Sequence, residues 1–466
     1  MQPMSLAEIT ECVRGRLADV LDPRALVTQP AVFDSREATP GSLFIALAGE
    51  HADGHAYAEA AVNKGATAAL VLRPVGVPAI VVDDVLIAFG RLGRFLVHNT
   101  LDPASRIVAI TGSAGKTSTK DFIAQVLPGN VVATPQSFNN EIGLPLTITL
   151  ADASTDYLVL EMGARRIGHI RDLTRIAPPD ISVVTNVGTA HVGEFGGREN
   201  IAQAKGEIVE ALPAGGLAVL NADDPLVLAM AHRTHARVVT YGLGEQATVR
   251  AADVVLDKRG QPSYTLHAPE GSARVHLQLV GEVQVHNSLA AAAVGREAGL
   301  DITQIAELLS AATPQSRWRM ETNTRADGVT VINDAYNANP HSMRSSLDAL
   351  AAMTGGRDQR SIAVLGRMNE LGEDARTAHE DVGRHAAALN LDQLIVVGGD
   401  EAGWIQQAAS SAGIQAVHLP DQETALDLLR SILRSGDVVL VKASRGVQLQ
   451  QLADALLQPN PTPPGA

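Results

Sequence analysis

The sequence predicts an α/β protein of three consecutive blocks: a small N-terminal α/β unit, a central P-loop unit with a mostly parallel sheet, and a C-terminal Rossmann-like unit. Three observations predict it. Short β-branched apolar runs alternate with helical segments along most of the chain, the βαβ rhythm of parallel sheets. At residues 105–121, SRIVAITGSAGKTSTKD, that rhythm carries a glycine turn followed by Lys-Thr. Polar motifs then recur directly after strands, where open α/β sheets gather their ligands.

Composition bounds the rest. A chain of 466 residues, with 45% apolar and 19% charged residues, is globular material for several cores. The formal net charge of −14 argues against nucleic acid or an anionic membrane surface as partner. One cysteine, Cys12, permits no intrachain disulfide and fits a reducing cytoplasm; it reads as buried filler rather than a nucleophile. No signal-peptide pattern opens the chain, and no apolar run reaches the roughly 18 residues of a membrane span. A cytoplasmic protein without membrane insertion is expected.

In order along the chain, Leu6, Ile9, Val13, Leu17 and Val20 recur at helical spacing and predict a helix over 5–21. Strands follow at 43–47, 68–72 and 79–82, with a helix at 56–64. Asp34-Ser35-Arg36 and the polar loop 49–55 are candidate binding spots, and ordinary polar turns are the plain alternative for both. A helix at 84–99 leads to the glycine loop, and a boundary near residue 85 is expected, giving units 1–84 and 85–313. The central unit alternates strands at 107–111, 131–133, 157–160, 181–185 and 218–220 with helices at 117–127, 166–176 and 199–212. Shorter strands between 236 and 280 predict an antiparallel addition to this sheet. Asn287 opens an Ala-rich helix, and a further helix covers 302–311. A third alternating block, 314–466, has strands at 329–333, 361–365, 394–397 and 438–441, helices between them, and a Pro-rich tail that reads as disordered.

The chemistry concentrates at the strand ends. Strand, glycine turn, Lys-Thr and helix make a phosphate cradle: backbone N–H groups and the positive helix end face the anion, Lys116 reaches the terminal phosphates, and Thr117 offers a hydroxyl to Mg²⁺. The usual GxxxxGK[ST] spacing is not met, because Ile110 stands five residues before Gly115. Glu161, after the apolar strand YLVL, stands where a Walker-B acid would, with a strand-end carboxylate capping the next helix as the plain alternative. His191 sits in a glycine-flanked loop at the same edge. Lys205, with Glu207 and Glu210 close in sequence, reads on chemistry alone as a solvated lysine in surface ion pairs.

GSAGKTS, SFNNEIGLPLT, LEMGA, TNVGTAHVGEFG, IAQAKGEI, VLNADDP, INDAYNANPHSM, MNELGE and VLVKASRG occur in this order. With them the chain resembles the Mur ligases over essentially its whole length. The resemblance implies that the N-terminal domain holds the uridine end of a nucleotide-sugar peptide, the central domain holds ATP and Mg²⁺, and the third closes over the site. UDP-N-acetylmuramoyl-tripeptide and D-alanyl-D-alanine are the implied substrates. ATP phosphorylates a carboxylate, and an amine then opens the acyl phosphate to an amide. Gly112, Ser113, Ala114, Gly115, Lys116, Thr117 and Ser118 would hold the phosphates. Thr117, Glu161, His191 and a CO₂-carbamylated Lys205 would hold two Mg²⁺ ions. Asn287 matches an adenine contact, Asp334 and Tyr336 match ribose contacts, and Arg319 matches an arginine of the third domain that approaches the γ-phosphate. Asn139 and Asn140 would meet the sugar-phosphate, Ser35 and Arg36 the uridine, and Asn369, Glu370 and Leu371 the dipeptide. Arg367 and Ala443 depart from the Asp and Gly usual at those positions. The family also implies a monomer, and closure of the third domain to bring Arg319 and Asp334 to ATP. A sibling that adds the third peptide residue would carry a DNPR-type motif, where this chain has Asn337-Ala338-Asn339-Pro340. A nucleotide switch would show [NT]KxD, and the nearest string is Asn63-Lys64-Gly65-Ala66.

Overall fold

The computed structural model describes residues 1–49, 52–188, 195–355 and 359–458. The expected ligand His191, the tip of the loop 49–55 and the Pro-rich tail lie outside these described residues. The three α/β blocks are present, each around its own parallel or mixed sheet.

The first block holds a five-stranded sheet in the order Arg16–Ala18, Ala79–Val81, Ala68–Val71, Leu43–Ile45, Ala31–Val32, all parallel except Arg16–Ala18. That first strand corrects the helix expected over 5–21. The helix is only Leu6–Val13, opened by a capping box between Ser5 and Glu8. Arg14 turns left-handed at φ 58°, and the Gly15 N–H bonds back to Thr10 O at 2.9 Å, which closes the helix. Leu17 fits the helical period, but it instead joins a sheet edge beside Ile80. Strand pairing overrode the periodicity.

The helix Val85–Thr100 connects to the central block and buries Phe89, Leu92 and Leu96. Its Gly90 and Gly93 let it close on Ile176 and Pro145 of the helices His169–Ile176 and Gly143–Ile148. One apolar core therefore runs continuously from Leu6 and Ile9 to Leu158 and Ile208.

The central sheet has nine strands. From one edge they run Val131–Ala133, Tyr157–Glu161, Arg106–Thr111, Ile181–Val184, Leu217–Asn221, Arg237–Gly242 and Val249–Leu256, all parallel, then Pro262–Ala268 and Gly271–His276, each antiparallel to the strand before it. The antiparallel addition expected from 236 onward is thus confined to the last two strands. The chain leaves Arg106–Thr111 toward one side of the sheet and later returns on the other, beside Ile181–Val184. This reversal makes the carboxyl end of Arg106–Thr111 a topological switch point, the place where an open α/β sheet has a crevice.

The third block has six strands: Glu321–Thr324, Thr330–Asn333, Val438–Lys442, Ser361–Leu365, Gln393–Val397 and Ala416–Leu419. Only Glu321–Thr324 is antiparallel. Among the described residues no helix is long and apolar enough to cross a membrane.

Candidate active site

The phosphate loop is fastened from behind before any ligand arrives. Gly115, at φ +81°, opens the helix Lys116–Val126, and a Cβ there would stand 2.5 Å from Asn287 Oδ1. Thr185 and Asn186, at the end of the neighbouring strand, hold the loop. Ser113 N–H donates to Asn186 O (3.0 Å), Ala114 N–H donates to Asn186 Oδ1 (2.9 Å), and Ala114 O accepts from Thr185 Oγ1 (2.7 Å). Geometry leaves the first-turn N–H groups of the helix without intrahelical partners, which makes this end an anion seat. Lys116 Nζ curls back to Gly112 O at 2.8 Å. Burial pulls the Lys116 ammonium below the usual lysine value, Glu161 opposes that, and Arg319 adds to it.

An oxygen cluster lies beside the loop. Buried Glu161 accepts from Thr117 Oγ1 at 2.8 Å and from Asn139 Nδ2 at 2.7 Å. The Thr117 and Ser137 hydroxyls share a 2.6 Å hydrogen bond. Arg319 crosses from the third block to this cluster. Its Nη2 donates to Thr117 Oγ1 (3.2 Å) and Ser137 Oγ (3.0 Å). The arginine expected to arrive on closure thus already stands at the loop.

Lys205 is not the solvated lysine of its local sequence. It lies on the buried face of the helix Arg198–Glu210 and is 5% exposed. Glu207 turns away to accept from Gly168 N–H (2.6 Å) and Arg171 N–H (3.0 Å), capping another helix, and Glu210 pairs with Arg233. Burial, helped by Lys116, pulls the Lys205 ammonium well below its ordinary value.

Together these residues line a cleft of about 440 Å³ with walls from the central and third blocks. Residues 110–295 match the Mur ligase middle domain, 318–445 the Mur ligase glutamate ligase domain, and 32–88 the Mur ligase family catalytic domain. The UDP-N-acetylmuramoyl-tripeptide–D-alanyl-D-alanine ligase of Mycobacterium tuberculosis H37Rv is 47% identical, over 98% of each chain. The chain belongs to the Mur ligase family. It is an ATP-dependent ligase of the Mur type. The ligase of that same name from Escherichia coli K12 is 34% identical over 98% of this chain and 99% of its own. Among solved structures, MurF of Acinetobacter baumannii superposes with a TM-score of 0.85 at 29% identity, covering 98% of this chain and 99% of that one. MurF ligase of Thermotoga maritima in complex with ADP gives 0.78 at 30% identity, over 92% and 97%.

On the third block of this Mur ligase, the expected nucleotide contacts divide. Tyr336 lines the cleft with two guanidinium groups near its ring, Arg319 at 4.1 Å and Arg445 at 5.1 Å from the centroid. Asp334 is turned inward. Its carboxylate pairs with buried Lys442 and accepts from Ser346 Oγ (2.7 Å) and Met320 N–H (3.0 Å). Asn287 likewise supports the site from behind: its amide donates to Gln284 Oε1 and its Oδ1 accepts from Thr119 Oγ1. Asn140 lines the cleft while its Oδ1 accepts from Gly143 N–H at 3.0 Å. Asn369, Glu370 and Leu371 border the cleft, with Asn369 N–H donating to Ser444 Oγ (2.9 Å). Ser35 and Arg36 lie in the first block, outside this cleft. Arg36 is exposed and pairs with Asp34 at 2.6 Å, and that guanidinium holds the Asp34 carboxyl down at about 2.

The two departures from the family pattern stay out of the cleft. Ala443 is fully buried against Gly366, and Arg367 points to Glu401. Burial pushes the Cys12 thiol up to about 11, in keeping with an inert side chain. Sequence reading missed Ser137, Thr185, Asn186 and Arg445. All four sit inside quoted motifs, SFNNEIG, TNVGTAHVGEFG and KASRG, but only the fold brings Ser137 to Thr117, Thr185 and Asn186 to the glycine loop, and Arg445 to Tyr336.

The cluster suits a hard cation. Thr117 and Ser137 hydroxyls and the Glu161 carboxylate are oxygen donors, the kind Mg²⁺ takes in small number while keeping waters and phosphate oxygens. No group of three His, Cys, Asp or Glu able to hold a metal occurs among the described residues.

Proposed function

We propose that this ligase joins D-alanyl-D-alanine to UDP-N-acetylmuramoyl-tripeptide, with ATP converted to ADP and phosphate. The observation that carries the reading is the meeting of Thr117, Glu161 and Arg319 from two blocks at one phosphate loop. Similarity to ligases of that name along nearly the full chain supports the substrate pair. Domains 1–84, 85–313 and 314–466, acting as a cytoplasmic monomer, belong to the same reading.

A carboxylate is a poor electrophile. The tripeptide's terminal carboxylate takes the γ-phosphoryl group, the dipeptide's amine attacks the acyl phosphate carbon, and phosphate leaves with the bond pair while the amine loses its proton. The difficulty is stacked negative charge, so cations and N–H dipoles fixed in advance carry the catalysis. Lys116 and the first turn of Lys116–Val126 seat the β- and γ-phosphates. Arg319 brings a second positive charge to the transferring group. Glu161 orients Thr117 and Asn139. Asn139 and Asn140 hold the sugar-phosphate, and Ser35 and Arg36 the uridine. Mg²⁺ ions, when bound by Thr117, Glu161, His191 and the carbamate of Lys205, neutralise phosphate charge. Lys205 suits that modification. Burial disfavours its ammonium, and the neutral amine is the form that adds to CO₂, giving a carbamate and releasing a proton; the product is an anionic oxygen ligand.

The decisive experiment measures ADP release with ATP, each substrate alone, and both together, using lysine- and diaminopimelate-containing tripeptides in parallel. Release is expected only with tripeptide and dipeptide together. Full turnover without the dipeptide sinks the reading. For Lys205, ¹³C-labelled bicarbonate is expected to give a carbamate resonance that Lys205→Ala lacks.

A further inference from the structure

Ser137 and Asn139 both serve the oxygen cluster, and the residue between them has no task in the reaction above. Ser137 Oγ meets Thr117 Oγ1 and Arg319 Nη2, while Asn139 donates to Glu161 and accepts from Gly163 N–H at 2.7 Å. Phe138 instead reaches the first block. Its ring meets that of Phe33 edge to face, with centroids 5.9 Å apart and planes at 74°. Phe33 follows the strand Ala31–Val32 and directly precedes Asp34-Ser35-Arg36. Phe33 is 39% exposed and Phe138 half-buried, so the pair stands outside the apolar cores that hold the blocks together.

The chain around Phe138 is fixed on both flanks. Lys120, on the phosphate-loop helix, donates from Nζ to Thr134 O (2.8 Å) and Gln136 O (3.4 Å). Gln136 stands at φ +51°, a left-handed value uncommon away from glycine. On the other flank Gly143 makes room, since a Cβ there would stand 2.4 Å from Phe138 Cβ. The first-block strand is fastened to the same stretch: Ala31 N–H donates to Thr149 Oγ1 at 3.2 Å, just after the helix Gly143–Ile148. Phe33 thus meets Phe138 from a strand already tied to the central block. A shift of about 1 Å at Phe138 would carry Ser137 and Asn139 with it, and misplacements of that size are felt in catalytic rate. We propose that Phe138 is a positioning residue. Through it the first block sets Ser137 and Asn139 against Thr117, Glu161 and Arg319, so that uridine seated at Ser35 and Arg36 speeds phosphoryl transfer as well as holding the substrate. Binding energy from a remote part of the substrate is then used at the reacting centre. The proposal rests on the reaction and the uridine site assigned above.

The test measures kcat at saturating ATP and dipeptide with two acceptors: UDP-N-acetylmuramoyl-tripeptide, and the same molecule without its uridine monophosphate, N-acetylmuramoyl-tripeptide 1-phosphate. With the full substrate, Phe138→Ala and Phe33→Ala are each expected to lower kcat about 3- to 10-fold, the scale of one edge-to-face aromatic pair. The double variant should be no slower than either single one, because both act through one contact. Removing the uridine should cost the wild type a similar factor in kcat and cost the variants nothing further. Phe33→Tyr, which keeps the ring, should restore the rate. Urea unfolding checks that the variants fold, and Phe33→Leu offers a milder change should Phe138→Ala fail to fold. A rise in the KM for the full substrate with kcat unchanged makes the rings a ligand contact and overturns the proposal. Factors that multiply in the double variant, or a wild-type kcat indifferent to the uridine, overturn it as well. Failure of the wild type to ligate the dipeptide to either acceptor defeats the reaction assignment itself, a distinct result.

Discussion

Lys116 follows the strand Arg106–Thr111 of the central sheet, and Lys442 ends the strand Val438–Lys442 of the third sheet. Both lie at the carboxyl edge of parallel strands, and burial pulls both ammonium groups below the usual lysine value. Their partners differ. Among the described residues Lys116 Nζ bonds the loop carbonyl of Gly112 alone, while Glu161 attracts it through space. Lys442 Nζ is an ion-pair partner of Asp334 and also donates to Asn337 O at 3.1 Å. One edge thus presents a charge that a ligand can complete, and the other closes its charge internally. The edge of a parallel sheet supplies the place. Whether the adjacent acid turns toward the lysine decides between catalysis and structure.

The largest test of that contrast is Lys116→Ala. It is expected to lower phosphoryl transfer on the order of 10³-fold, the scale of removing one fixed charge from a developing anion, with thermal unfolding essentially unchanged. Near-normal turnover breaks the comparison. Lys442→Ala should behave in the opposite way. It leaves buried Asp334 without its counter-ion, a change that typically costs about 3–5 kcal/mol of stability. Urea unfolding should show the loss, and replacing Asp334 and Lys442 together by apolar residues should recover most of it.

Lys205 sharpens the same point through pH. Its folded-state ammonium is pulled well below the ordinary 10.5, so between those values the unfolded chain binds more protons than the native one. Stability attached to this residue therefore falls as pH drops below 10.5 and rises toward it. Lys205→Met, in carbonate-free buffer, is expected to flatten that slope and raise stability at pH 7 while abolishing ligation. Parallel stability curves for variant and wild type between pH 7 and 9 would remove the buried amine from the account.

How much of this was legible depends on range. The glycine loop, Thr117 and Glu161 could be read because strand, turn and helix are local patterns, and the order of the blocks followed from the βαβ rhythm. The burial of Lys205 was not legible, because its two nearby glutamates mimic surface pairs; their true partners, the Gly168 and Arg171 amides and the Arg233 guanidinium, come from elsewhere in the chain. Asp334, assigned to the ribose by the resemblance alone, shows the same dependence on range: strand pairing sets it beside Lys442, a partner more than a hundred residues away that no local pattern announces. The strand Arg16–Ala18 was hidden for a similar reason, since its apolar Leu17 satisfies both the helical period and the sheet that captures it.

The smallest expected effect lies in the segment that delivers Arg319. Gln125, on the phosphate-loop helix, clamps Thr313 by both backbone groups: Nε2 donates to Thr313 O at 3.0 Å, and Oε1 accepts from Thr313 N–H at 3.0 Å. Six residues later the chain places Arg319 against Thr117. The clamp ties the helix that seats the phosphates to the segment that brings the third block's charge, so the two edges compared above are held in one register. Gln125→Ala removes two neutral hydrogen bonds at an exposed site, together about 1–2 kcal/mol at most. If the clamp positions Arg319, kcat should fall several-fold and the effect should vanish in an Arg319→Ala background, because the two residues act through one contact. If Gln125 merely contributes to stability, the same loss of unfolding free energy should appear with kcat unchanged, and the factors for Gln125→Ala and Arg319→Ala should multiply.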